Sequence, residues 1–156
     1  MKRKLQNKKG FTLAELLIVV AIIAVLVAVS IPVLNNQLEK SRDAVTVSNI
    51  RAAYAEATTE YITSNGKAVT NGNVDVKAPD ASSKVVVTVS NVVVKGEDAT
   101  KGLSGLEAEL PFTVSSDNAA ELNKVSGKKG SGGTVNVTFT FTVGSSDAPT
   151  FGFPTT

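Results

Sequence analysis

The sequence contains no cysteine and no histidine. Without cysteine there is no disulfide, no thiol chemistry and no cysteine-based metal site. Without histidine the commonest general base and the commonest metal ligand are both missing. No nucleophile–base pair and no cluster of metal ligands stands out among the remaining residues. The reading is therefore a protein that is not an enzyme, with no cofactor and no metal. Aromatic residues make up only 5% of the chain, six Phe and two Tyr. One stretch has almost nothing polar in it: from Leu16 to Val29 every residue is apolar.

The rest of the chain is organised around that stretch. Between Phe11 and Leu34 only Thr12, Glu15, Ser30 and Pro32 interrupt it. At about 1.5 Å per residue, this span makes a helix about 36 Å long, enough to cross a hydrocarbon core of about 30 Å. A helix satisfies its own backbone groups, as lipid requires. Ahead of it lie Lys2, Arg3, Lys4, Lys8 and Lys9, with no acid. That asymmetry keeps the leader in the cytoplasm and sends the C-terminal bulk outward. Removing those five from the 16 basic residues leaves 11 against 14 acidic ones, turning the net charge from +2 to −3 before terminal groups. The pI near 8.9 describes the uncut chain and gives no argument for nucleic-acid binding.

Two residues stand out within the apolar span. A carboxylate such as Glu15 costs on the order of 2.5–3.5 kcal/mol at a membrane-helix centre, and less near an end. Glu15 either sits at the headgroup level or has a partner. A cut after Gly10 would give Phe11 a free amine in the same layer, one helical turn away. In a bundle, the amine of a neighbouring copy is an equally good partner. Pro32 removes one helical hydrogen bond and crowds the preceding turn, so a kink is expected there.

The run Lys9-Gly10-Phe11-Thr12-Leu13-Ala14-Glu15-Leu16 resembles the processing site of type IV pilins and their pseudopilin relatives, K-G-F-T-L-x-E. The resemblance covers residues 2–61. It implies cleavage between Gly10 and Phe11 by a prepilin peptidase and N-methylation of Phe11. It also implies pairing of Glu15 with the Phe11 amine of an adjacent subunit, and a helix bent or locally melted near Pro32. The implied function is a structural subunit, a major pilin, of a type IV pilus built as a helical homopolymer. The implied partners are the chain itself, the peptidase, an assembly machinery and minor pilins. The precursor would sit in the cytoplasmic membrane and the assembled form at the cell surface. The alternatives are a pseudopilin of type II secretion or DNA uptake, and a membrane-anchored or secreted binding domain that does not polymerise. Major secretion pseudopilins tend to carry an acidic C-terminal calcium loop, and here only Asp147 lies in the tail. Many Gram-negative pilins close a C-terminal loop with a disulfide, which this chain cannot form. Electron conduction needs closely spaced aromatics, and the long helix has only Phe11, Tyr54 and Tyr61. An ordinary signal-peptidase site at Ala28-Val29-Ser30 competes with the Gly10 cut. Against it stand Glu15 inside the apolar region, the length of the run and the helical pattern continuing past the site.

The expected organisation is a leader over 1–10, a transmembrane and assembly helix over 11–34, an amphipathic continuation over 35–64 and a β-rich head over 65–156. The fold class is α+β: one long N-terminal helix packed on a C-terminal antiparallel sheet, as in pilins. Val47, Ile50, Tyr54, Ala57 and Tyr61 recur at spacings of three and four and form the face expected to pack on that sheet. Lys40, Arg42, Asp43, Arg51, Glu56 and Glu60 fall mostly elsewhere on the wheel. Asn65-Gly66 reads as the helix stop. A small hairpin is expected around Thr70–Asn73. Lys84–Lys95 reads as one long strand, or as two broken at Ser90-Asn91. A short strand ending near Phe112 and a short helix over Asn118–Lys124 follow. Glu97, Asp98 and Thr100 match no calcium-loop spacing, and Lys128 and Lys129 read as part of a soluble glycine-rich loop. Thr134–Val143 alternates cleanly, with Val135, Val137, Phe139, Phe141 and Val143 on one face. Asn136-Val137-Thr138 matches a glycosylation sequon by chance. Thr150–Phe153 is expected as an edge strand.

Overall fold

A computed structural model describes residues 10–97, 102–114, 116–125 and 133–154. The leader up to Lys9, most of the lysine-glycine loop around Lys128 and Lys129, and the Asp98 and Thr100 positions lie outside the described residues. The chain divides into two units, Met1–Gln37 and Leu38–Thr156.

In the first unit the described residues are mostly helix. The first helix, α1, is assigned over Leu13–Ser64, with Pro32 inside it. Its start is set by a local device. The Thr12 hydroxyl accepts from the Glu15 N–H at 3.2 Å, and Glu15 Oε2 accepts from the Thr12 N–H at 2.8 Å and its hydroxyl at 2.7 Å. This is the reciprocal capping box of a Thr followed three residues later by Glu. The assignment continues through Pro32, and Ser30 Oγ donates to the Leu26 carbonyl at 2.7 Å just before it. In a helix such a serine shares a carbonyl already engaged in the ladder.

In the second unit, α1 runs from Leu38 and ends at Ser64, where Asn65 (φ 51°) and Gly66 (φ 73°) turn left-handed. Six strands follow: β1 (Val69–Asn71), β2 (Val74–Val76), β3 (Lys84–Val93), β4 (Thr113–Val114), β5 (Thr134–Thr142) and β6 (Thr150–Gly152). They form one sheet in the order β1-β2-β3-β5-β6-β4. Every pairing is antiparallel except the two-residue β4, which lies parallel to β6. A second helix, α2 (Ser116–Val125), follows β4.

The sheet and the helix are fastened by one core. Val47, Ile50, Ala53 and Ala57 of α1 are buried together with Val85, Val87, Val137, Phe139 and Phe151 of the sheet. Each large aliphatic or aromatic side chain removed from water in this way contributes about 1.5–3 kcal/mol. The scarce aromatics are concentrated here. Phe139 meets Tyr54, Phe112 and Phe151 at centroid distances of 5.6, 5.2 and 5.6 Å. Tyr61 stacks on Phe141 at 4.4 Å with the rings 7° apart.

Several strand details depart from the sequence expectation. Lys84–Val93 is one strand, yet it breaks register at Ser90-Asn91. Val89 faces Val137 and Val92 faces Val135, so β3 holds one extra residue, and Asn91 takes φ 62°. The Asn136 side chain accepts the bulge N–H of Asn91 at 3.1 Å, which gives that residue a local structural role. Leu106–Glu109 is a 3₁₀ turn, and the short strand begins after Phe112 rather than ending there. Val143 lies beyond β5 in a turn and is 49% exposed, because Gly144 (φ 79°) already turns the chain. The Thr150 strand is not an edge, since β4 pairs along its outer side. Helix α2 begins two residues before Asn118.

Candidate processing and assembly segment

Nothing in the fold demands glycine at position 10. A Cβ built there meets no atom within 4 Å, and its φ is not left-handed. Phe11 is 93% exposed. From Phe11 to Leu34 every large apolar side chain is exposed, the most covered being Val27 at 47%. No residue of the apolar window is buried within the chain, and α1 is long and apolar enough to cross a membrane. An apolar surface of this extent is far larger than a water-exposed protein face normally carries, so it needs a bilayer or a partner.

Glu15 is the one carboxylate in this surface. Its Oε2 is held by Thr12, one turn back, in the capping box. The carboxylate therefore has an intramolecular anchor at Thr12, the residue after Phe11. Taken alone, Glu15 is an anomaly in an apolar run. Thr12 was the signal that completes it, because a Thr with Glu three residues later is a helix-start pattern.

The other sequence-selected residues lie in the second unit. Val47 and Ile50 are buried, at 2% and 0% exposure, whereas Tyr54 and Tyr61 are half-buried and enter the core through ring contacts. The helix also buries a polar row, of which the sequence analysis places only Asp43, and places it away from the packing face. Glu39, Asp43 and Thr46 are buried, Asp43 completely. They take hydrogen bonds from the segment after β3: Glu97 N–H to Glu39, Ser104 Oγ to Asp43, and Lys95 N–H to Thr46 Oγ1 at 3.0 Å. Arg42 bridges Glu97 at 2.6 Å and Glu39 at 3.4 Å. A hydropathy wheel scores these as outward residues. Their burial depends on a segment 49 to 61 residues further along the chain that brings donors to them. Among the described residues no group of three or more His, Cys, Asp or Glu is placed to hold a metal ion.

Comparison with known proteins bears on the first unit most directly. The family described as the prokaryotic N-terminal methylation motif matches residues 5–31. The chain is also 31% identical over 114 residues to the type IV major alpha-pilin of Moraxella bovis, an alignment covering 72% of this chain. The chain spans 64% of that relative's length. No solved structure matches it. The chain thus carries the prokaryotic N-terminal methylation motif on a long apolar helix, is similar to a type IV major pilin, and has an α+β unit of pilin-like arrangement.

Proposed function

We propose that this chain is a structural subunit, a major pilin, of a type IV pilus. The observation that carries the proposal is the coincidence of the methylation motif over residues 5–31 with an apolar helix surface that the chain itself leaves uncovered. The precursor enters the cytoplasmic membrane with its leader inside and its head outside. A prepilin peptidase cuts after Gly10, and Phe11 is N-methylated. The lack of any structural need for glycine at position 10 supports a requirement imposed by such an enzyme. Subunits then associate through the apolar helix, with the heads outside, aided by an assembly machinery and minor pilins. Because the helix leaves lipid rather than water, close packing and polar pairing have to drive this step. Glu15 supplies the pairing: its carboxylate meets the Phe11 amine of an adjacent subunit, and Pro32 provides the local bend.

The test is the intact mass and N-terminal sequence of protein sheared from cell surfaces. An abundant chain beginning at methylated Phe11 is the expected result. Processed protein found only in membranes would instead indicate a pseudopilin. A start at Ile31 would indicate an ordinary secreted domain, and an uncut membrane chain an anchored binding module. Each of these three overturns the pilus reading.

A further inference from the structure

The chain contains two Asn-Gly pairs, Asn65-Gly66 and Asn71-Gly72, six residues apart. This pair has a definite chemistry. The backbone nitrogen of the glycine, having lost its proton, attacks Cγ of the asparagine side chain. A C–N bond forms, the side-chain nitrogen leaves as ammonia, and a five-membered succinimide results. Water then opens the ring at either carbonyl, giving aspartate or the β-linked isoaspartate. The balance is one water in and one ammonia out, with no redox change. Glycine favours the step because it has no Cβ to hinder the approach of its nitrogen and leaves the backbone free to turn.

The two pairs share a sequence but differ in their surroundings. Asn65 is exposed and stands just past the end of α1. Among the described residues its side chain accepts or donates no hydrogen bond, and the Gly66 N–H makes none. The turn is closed by two flanking backbone bonds, Asn65 N–H to the Ile62 carbonyl at 3.3 Å and Lys67 N–H to the Ser64 carbonyl at 3.0 Å, and neither engages the Asn65 side chain or the Gly66 nitrogen. A Cβ placed on Gly66 meets only Pro79 Cγ, at 4.0 Å. Asn71 is also exposed, but its side chain is occupied. Nδ2 donates to Glu60 Oε1 at 2.7 Å, and its backbone is paired with Val74 in the β1–β2 hairpin. Closing a succinimide there requires giving up the Glu60 bond and distorting the strand end.

We propose that Asn65 is a site of spontaneous deamidation in the folded chain, and that Asn71 is protected by Glu60 and the hairpin. The product matters where it forms. The last turn of α1 carries no basic residue, so a new carboxylate at position 65 faces the negative end of the helix, with Lys67 beyond the turn the nearest cation in sequence. The isoaspartyl form also inserts a methylene into the backbone at a left-handed cap. Both effects loosen the helix terminus that Tyr61 and Phe141 hold to the sheet.

The experiment uses the full chain in detergent and in denaturant, incubated in mildly alkaline buffer and sampled over days. Trypsin separates the two sites, since Arg51, Lys67 and Lys77 place Asn65 and Asn71 in different peptides. Mass spectrometry measures the conversion, and isoaspartyl methyltransferase labelling identifies the β-linked product. In denaturant the two sites should react at similar rates. In the folded chain Asn65 should react several-fold faster than Asn71. Glu60→Ala should raise the Asn71 rate and leave Asn65 unchanged. Folded Asn71 reacting as fast as Asn65 would overturn the inference. So would a folded chain inert at both sites while the denatured chain reacts. The folded-to-denatured ratio in the unaltered chain decides the matter even if the Glu60 variant folds poorly.

Discussion

The two halves of α1 are both helical, and for opposite reasons. Over Leu13–Leu34 the residues are almost all apolar, nearly half of them β-branched, and their large side chains lie open, each at least 47% exposed. Over Leu38–Ser64 one face is committed to a core, with Ile50 and Ala57 fully buried. The first half holds its surface in reserve for lipid or another chain. The second has already used its inner face on its own sheet. Changes in the first half should therefore alter what the protein does with other molecules. Changes in the second should alter whether the head stays folded.

The sharpest contrast comes from Gly10. Gly10→Glu should abolish leader removal while leaving head unfolding unchanged, because no atom surrounds that position. An immunoblot for precursor and mature forms checks it, and a processed variant would move the cut elsewhere. Glu15→Val comes next. It should leave cleavage largely intact and remove most surface filaments, as counted after shearing from cells with no other pilin. Normal filament yield would defeat the Glu15 pairing.

In the head, Phe139→Ala should lose about 3–5 kcal/mol, read from denaturant melts, because it removes a fully buried ring from three aromatic contacts. Its processing should be normal. Asp43→Ala should cost less, about 1–3 kcal/mol, through the loss of the buried acceptor for Ser104. Hydrogen exchange should rise in the 102–110 segment; unchanged exchange there would show that the carboxylate does not hold it. Val143→Ser is the smallest case. At 49% exposure outside β5 it should change stability by no more than about 0.5 kcal/mol, whereas a strand-core position would have cost far more.

Legibility followed the reach of the interactions. The left-handed stop at Asn65-Gly66 and the alternation of Val135 to Phe141 are written within a few residues, and turn chemistry or periodicity exposes them; the capping box at Thr12 is just as local but is masked by the oddity of a charge in an apolar run. The hairpin from Val69 to Val76 is similarly local, with Gly72 at φ 58° where the loop needs it. The β3 bulge was half legible. Ser90-Asn91 marked a break, but only the partner strand and the Asn136 side chain show why a single strand survives it.

By itself the sequence determined an apolar span of membrane length, a basic stretch ahead of it, a helix continuing on an amphipathic pattern and a β-rich head without cysteine or histidine. These are properties of composition and spacing, and no distant contact can change them. Only the tertiary structure decided that β4 lies parallel beside β6, that Val143 leaves the strand, and that Glu39, Asp43 and Thr46 turn inward. Each of those rests on a partner far away in the chain. A buried carboxylate is tolerable only where folding delivers its donors, and no local pattern records where those donors come from.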